Sequence, residues 1–251
     1  MNEMKRLLSF VRRAVDDYQM IDEGDRIAVG VSGGKDSLAL LSALAEMRRF
    51  YPKKYKVVAI TVDMGFEGMD YSKIESFCRE KNVEYVIEKT EIAKIIFDVR
   101  KEPNPCSLCA KMRRGSLHAA AQAAGCNKVA LGHHYDDAVE TFMMNLFFEG
   151  RLGCFSPKSY LSNRKITLIR PMLYAMEKDV VYFARRQELP VVESKCPEDH
   201  ATERENMKKL LSELEKTNKG VKHRIFNAMC KSEIDGFKLF GRYPDAGNIE
   251  E

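Results

Sequence analysis

Arg26-Ile27-Ala28-Val29-Gly30-Val31-Ser32-Gly33-Gly34-Lys35-Asp36-Ser37-Leu38 is the stretch that decides the fold. Ile27 to Val31 is a short apolar run, a strand pattern that breaks at Ser32-Gly33-Gly34; from about Lys35 to Arg49 the residues read as a helix. A strand, a glycine loop and a helix in that order aim backbone N–H groups and the positive end of the helix dipole at one place, which suits an anion. Phosphate is the natural guest. A Walker A loop would hold four residues between its glycines and follow Gly-Lys with Ser or Thr. Here three residues separate Gly30 from Gly34 and Asp36 follows Lys35, which disfavours a P-loop kinase.

The unit repeats. Val57 to Val62 reads as a strand, Tyr71 to Lys81 as a helix, Glu84 to Glu88 as a strand, Ala110 to Ala124 as a helix, and Lys128 to Leu131 as a strand before a helix from Asp136 to Phe148. This alternation predicts an α/β fold with a mostly parallel, doubly wound sheet covered on both faces. Its ligand belongs outside the carboxyl ends of the strands, where the loops bearing Ser32, Asp63 and His133 converge. Asn2 to Tyr18 adds an amphipathic N-terminal helix. Gly150 to Lys165 reads as a mobile surface loop, Ile166 to Ile169 and Val191 to Glu193 as strands around a helix at Glu177 to Gln187. Helices near Thr202 to Lys216 and Val221 to Ile234 precede a frayed tail. The expected division is an N-terminal helical appendage (1–24), a nucleotide-binding domain with the cysteines (25–196) and a C-terminal helical segment (197–251).

Composition bounds the function. The 251 residues are 45% hydrophobic and 31% charged, ordinary values for a globular chain. Apolar runs such as Val57 to Val62 fall short of the ~20 residues a bilayer requires, and Met1 to Leu8 lacks a signal-peptide pattern, so a cytoplasmic protein without membrane contact is expected. Seven cysteines, an odd number without an export signal, do not suggest a disulfide framework. Forty-one basic against 37 acidic residues leave a net charge of +4, too little by itself to establish nucleic-acid binding.

Ser32-Gly33-Gly34-Lys35-Asp36-Ser37 resembles the SGGxDS pyrophosphate loop of the ATP-pyrophosphatase superfamily, whose members cleave ATP between the α and β phosphates and adenylate their substrates. Val62-Asp63-Met64-Gly65 and Leu131-Gly132-His133-His134-Tyr135-Asp136-Asp137 lie where that superfamily places its other nucleotide segments. The resemblance implies that Val62, Asp63, Gly132 and His133 frame adenine and ribose, and that Asp137 lies near the phosphates. A carboxylate beside a triphosphate makes chemical sense as a hard oxygen ligand for Mg²⁺. His133 and His134 also admit a plainer reading, a strand-end pair that satisfies backbone groups.

Pro105-Cys106-Ser107-Leu108-Cys109 precedes the helix that bears Lys111, Arg113 and Arg114. A CxxC alone is compatible with a redox pair, half a zinc site or half an iron-sulfur site. Cys106 to Gly115, with Gly132-His133-His134 and Arg170-Pro171-Met172-Leu173, resembles the tRNA 2-thiocytidine synthetase family from about Arg26 to Leu211. That resemblance implies a 4Fe-4S cluster on three cysteines with one iron open to bind sulfide, and the downstream candidate for the third cysteine is Cys196. The family pattern has a second CxxC in this region, whereas Ser194 and Lys195 precede a single Cys196. Cys78, Cys126, Cys154 and Cys230 read as small buried or incidental residues. Lys111, Arg113 and Arg114, with Arg100 and Lys101 upstream, form a candidate patch for RNA phosphates beside the cysteines, with Lys158, Arg164 and Lys165 as further candidates.

The activity implied is ATP-dependent thiolation of a tRNA base. Lys35 stabilises phosphate charge, Asp36 and Ser37 complete the nucleotide site, and a base carbonyl, that of cytidine C2, is adenylated before sulfur replaces it. The sulfur comes from a cysteine desulfurase system or from sulfide, and a homodimer is compatible with the family. One alternative is a related enzyme that thiolates uridine or a small molecule, or removes sulfur; another is an ATP-binding RNA module with structural zinc.

Overall fold

A computed structural model describes residues 3–100, 105–193, 195–197 and 203–240. Six strands form one sheet in the order β3-β2-β1-β4-β6-β5: β1 Arg26–Gly30, β2 Lys56–Asp63, β3 Glu84–Lys89, β4 Lys128–Ala130, β5 Lys158–Leu161 and β6 Ile166–Ile169. Every pairing is parallel except that of the edge strand β5 with β6. The order runs outward from β1 in both directions, and the gap between β1 and β4 is the switch point where doubly wound sheets bind ligands.

The continuous apolar runs reflect burial on both faces. Ala28, Val58, Ile60 and Val129 face α4 (Pro105–Ala123) in one core cluster. Ile27, Val29, Val57 and Ala59 face the opposite way, into a larger core that also holds Leu38, Leu41 and Leu44 of α2 (Lys35–Met47). Each fully buried Val, Ile or Leu contributes ~1.5–3 kcal/mol. The same core takes Leu7, Val11 and Ala14 of α1 (Glu3–Asp17), Ile74 of α3 (Ser72–Glu80), Val139 of α5 (Tyr135–Phe148) and Phe183 of α6 (Glu177–Arg186). It continues through Leu211 of α7 (Glu203–Thr217) and Phe226 of α8 (Val221–Lys231), so α1, α7 and α8 all pack on the same core as the sheet. No described helix is long and apolar enough to cross a membrane.

Three expectations need correction. Gly150 to Lys165 is not one mobile loop: Lys158–Leu161 forms β5, and Lys165 adopts φ 49° in the tight turn before β6. Four residue pairs are enough to close a hairpin onto a sheet edge already present, although Ser162-Asn163-Arg164-Lys165 hides the short strand in the sequence. Second, Cys106 and Cys109 do not precede a helix; α4 starts at Pro105, so both lie in its first turns. Proline is favoured at that position because its fixed φ suits the helix and its missing N–H would be unpaired anyway. Third, Val191 to Glu193 joins no sheet; it is an extended strap whose Val192 N–H donates to the Gly33 carbonyl at 3.0 Å. Lys101 and the expected frayed tail, 241–251, lie outside the described residues.

Candidate active site

The glycine loop leaves β1 and enters α2 at Gly34, and no side chain caps the new helix. Ser37 closes the loop instead: its hydroxyl donates to the Gly34 carbonyl at 2.9 Å and accepts from the Ser32 N–H at 3.2 Å. The first amides of α2 therefore point outward without an intrahelical acceptor, the arrangement that binds anions. Gly33 has φ +88°, a left-handed conformation that glycine adopts without penalty. Gly132 meets a different demand: a Cβ there would stand 3.2 Å from the backbone of Asp36 and Ser37, so the loop after β4 packs directly on the start of α2.

Lys35 lies 3.0 Å from Asp36 and 3.4 Å from Glu177 at the start of α6. Burial alone would lower its pKa, but the two carboxylates outweigh burial and raise it, so Lys35 is a secure cation. Glu177 also binds Lys208 of α7 at 2.8 Å. Asp36 Oδ1 is buried without a hydrogen-bond donor among the described residues, with His134 Nε2 3.8 Å away. A buried carboxylate oxygen left in that state is costly and marks a place built for a further partner.

Across the switch point, His134 and Asp137 form the capping box of α5. The His134 N–H donates to Asp137 Oδ2 at 2.8 Å, and the Asp137 N–H donates to His134 Nδ1 at 3.3 Å. His134 thus satisfies backbone groups, as the plainer reading of the pair expected. Asp137 Oδ1 is held by Arg204 of α7 at 3.5 Å, and Arg204 also reaches Glu140 at 3.3 Å and Thr141 at 3.0 Å. Burial and the nearby Asp137 charge push the Glu140 carboxyl up to about 7, against the pull of Arg204.

His133 has different surroundings. Arg170 Nε donates to His133 Nδ1 at 3.2 Å, and the imidazole stacks on Phe155 with centroids 4.7 Å apart. Burial, reinforced by the Arg170 charge, pushes His133 down to about 4. Arginine can only donate, so Nδ1 accepts and the ring proton of this neutral imidazole sits on Nε2.

Cys106 and Cys109, three residues apart on α4, share a face with Arg113 one turn on. The Cys109 thiol is raised by burial, with Arg113 opposing; the thiols of Cys196 and Cys106 raise it further. Cys196 thus lies within electrostatic reach of the CxxC pair although 87 positions separate it from Cys109. Cys106 is exposed and Cys109 and Cys196 half-buried, whereas burial raises Cys78, Cys154 and Cys230 to about 12. Cys126 is also buried. Cys106, Cys109 and Cys196, from two segments, fit a three-thiolate donor set, whereas the half-buried Cys154 lies apart, its Sγ donating to the Ala138 carbonyl at 3.5 Å. Among the described residues no three His, Cys, Asp or Glu side chains are arranged around a single metal ion, and a multi-iron cluster needs its thiolates farther apart than one ion does. Lys111, Arg113 and Arg114 are exposed along the same helix.

Residues 5–214 match the PP-loop domain family ATP_bind_3. The chain belongs to the PP-loop family. It is 44% identical over 228 residues to the tRNA-cytidine(32) 2-sulfurtransferase of Geobacter sulfurreducens, covering 90% of this chain and 89% of that protein. The protein of the same name from Geobacter metallireducens is 42% identical over 229 residues, with 90% and 89% covered. Among solved structures, the U34-tRNA thiolase NcsA from Methanococcus maripaludis, determined with its 4Fe-4S cluster, is similar with a TM-score of 0.75 and 29% identity; 90% of this chain and 77% of that one are covered.

In this PP-loop domain the rim therefore gathers Ser32, Lys35, Asp36, Gly132 and Asp137, with His133 at its edge. Asp63 stands at the end of β2, its Oδ1 taken by the Gly65 N–H at 3.0 Å. Several residues at this site escaped sequence reasoning: Glu177 and Lys208 beside Lys35, Arg204 on Asp137, and Arg170 with Phe155 around His133. Arg170 was visible only as part of a matching string, and Arg204 and Lys208 resemble the many charged residues of a solvated helix face. Their partners are 22 to 142 positions distant, a separation that local spacing does not encode.

Proposed function

We propose that this chain thiolates a cytidine of tRNA at C2, the reaction named for its relatives at position 32, by adenylating the C2 carbonyl oxygen with ATP and displacing AMP with sulfur. The observation that carries this reading is the strap: Val192, hydrogen-bonded to the glycine loop, lies four residues before Cys196, whose thiol is felt by Cys109. This link supports a site in which phosphate chemistry and sulfur chemistry lie side by side.

Ser32, Gly33, Gly34, Asp36 and Ser37 bind the ATP phosphates, the free amides of α2 taking the negative charge. Lys35, already a cation between two carboxylates, exchanges them for phosphate oxygens as pyrophosphate leaves. Val62, Asp63, Gly132 and His133 enclose the adenosine. Asp137 would hold Mg²⁺, which keeps several waters and needs few protein ligands when a triphosphate supplies the others. Cys106, Cys109 and Cys196 would hold a 4Fe-4S cluster, which when bound offers an open iron for the incoming sulfur. Lys111, Arg113 and Arg114 meet the tRNA backbone at the cysteine face. Adenylation turns an oxygen that leaves poorly into AMP, dividing one difficult substitution into two easier ones. A cysteine desulfurase system or free sulfide supplies the sulfur, the reaction belongs in the cytoplasm where tRNA is found, and a homodimer is the proposed assembly. Residues 25–196 form the catalytic unit, flanked by 1–24 and 197–251.

The test is anaerobic: reconstituted protein, ATP and unmodified tRNA should yield 2-thiocytidine with AMP and pyrophosphate. Formation of ADP and phosphate, or thiolated uridine alone, would overturn the assignment.

A further inference from the structure

Arg170 is a buried guanidinium without a counter-charge. It is 7% exposed, yet among the described residues no Asp or Glu pairs with it. Its hydrogen bonds go to two neutral acceptors, His133 Nδ1 at 3.2 Å and the Ser156 carbonyl, and its guanidinium lies 4.7 Å from the centroid of the Phe155 ring. These contacts engage Nε and one terminal nitrogen and leave the other without a partner among the described residues. The charged group felt most nearby is a second cation, Arg114 on α4. Cys154 is also close, but burial raises that thiol to about 12, so it is neutral at pH 7 and offsets nothing.

Buried charges are paired as a rule, because desolvation of a lone ion is expensive. Arginine in particular presents a planar fork that matches phosphate oxygens in pairs. Position narrows the ligand further. Arg170 directly follows β6, whose Ile169 carbonyl accepts from the Leu131 N–H on the way to His133. His133 feels Asp137 and Arg204 on the nucleotide side, and Arg114 lies five residues beyond Cys109 on the cysteine side. The unpaired cation therefore sits between His133 at the ATP rim and Arg114 of the helix that carries Cys106 and Cys109.

We propose that Arg170, braced by His133 and Phe155 and faced by Arg114, is the seat of one phosphoryl group: a backbone phosphodiester next to the target base or the α-phosphate of ATP. This rests on the reading of the site as an ATP-dependent RNA-modifying centre. His133 serves as a positioning residue, since its neutral Nδ1 holds the guanidinium without cancelling its charge. The target phosphate is then fixed on the same strand ends that hold ATP.

Arg170→Met in the full chain tests the proposal, with tRNA affinity measured across a salt series and the affinity of a non-hydrolysable ATP analogue measured separately. If the seat takes an RNA phosphodiester, tRNA binding weakens about tenfold, its dependence on log salt becomes shallower by ~0.7–0.9, and the nucleotide affinity is unchanged. If it takes the α-phosphate, the analogue binds about tenfold more weakly and the salt slope for tRNA stays as in the wild type. Arg170→Lys, which keeps the charge, should retain most of either interaction. A purely structural role would lower the melting temperature while leaving both affinities and the salt slope at wild-type values. If Arg170→Met fails to fold, Arg170→Gln, which keeps a polar side chain without the charge, is read for the same two signatures. Wild-type values for both ligands in a folded variant would overturn the proposal. Failure of the wild-type chain to bind tRNA would strike the functional reading instead, and the ATP measurement would then decide the seat alone.

Discussion

Gly33→Ala tests the joint between the glycine loop and the strap that carries Cys196. Gly33 has φ +88°, and a Cβ there would stand 3.2 Å from the Val192 Cβ. The left-handed conformation costs a residue with a side chain ~1–2 kcal/mol, and forcing an added methyl into a packed contact typically costs ~1–3 kcal/mol. The sum is roughly 2–5 kcal/mol, which for a chain of this size lowers the melting temperature by roughly 4–20 °C. Because Val192 N–H bonds to the Gly33 carbonyl, relief of the clash moves the strap, so iron retention after anaerobic reconstitution should fall together with ATP affinity. Val192→Gly in the same chain removes the close carbon and should recover the steric part of the loss but not the conformational part, a coupling of ~1–3 kcal/mol in a double-mutant cycle. Differential scanning calorimetry, iron and sulfide analysis and nucleotide titration are the measurements. A Gly33→Ala protein that melts within a degree of the wild type, or one that loses ATP binding and keeps all of its iron, would refute the mechanical link.

Lys35→Ala should abolish conversion of ATP to AMP and pyrophosphate while leaving iron content near normal, since Lys35 pairs with the carboxylates of Asp36 and Glu177 on the rim; iron loss matching the loss of turnover would show that the two centres are not separable. Cys196→Ser should bleach the iron-sulfur absorbance and eliminate thiolation with nucleotide binding intact, whereas serine at Cys78, Cys126, Cys154 or Cys230 should cost ~1–3 kcal/mol of stability through a buried hydroxyl and leave the absorbance unchanged. His133 provides a pH test. Its folded pKa of about 4 lies below the ordinary 6.5, so the unfolded chain takes up the proton first as pH falls. Stability should drop between pH 6.5 and 4 by up to ~3 kcal/mol from this group. His133→Gln should remove that part of the slope in urea titrations, and an unchanged slope would show that the imidazole is not held neutral.

The strand, glycine loop and helix at Arg26 to Met47 were legible because each part has a local signature: β-branched apolar residues, glycines where the chain turns, and an apolar helical spacing afterwards. The parallel order of the sheet followed from repetition of that unit, and the boundaries of α6 and α8 were close because their apolar stripes repeat without interruption. By contrast, β5 was hidden because a four-residue edge strand buries little on either side, and the strap at Val191 to Glu193 mimicked a strand because apolar residues that pack on a loop carry the same composition as those in a ladder. The CxxC spacing indicated two thiols for one centre, and the resemblance suggested Cys196 for a third.

What the chain alone determined was an α/β nucleotide fold and the residue types needed for phosphate and thiolate chemistry, since these depend on interactions within about a dozen residues. Only the tertiary structure decided the neighbours: that Glu177 shares Lys35 with Asp36, that Arg204 holds Asp137, that the buried Arg170 donates to His133, and that Val192 ties the Cys196 segment to Gly33. The physical reason is that each of these pairs joins elements from different crossovers of the sheet. Their proximity is set by packing of the helices on the two sheet faces, and packing, unlike periodicity, leaves no repeating mark in the sequence.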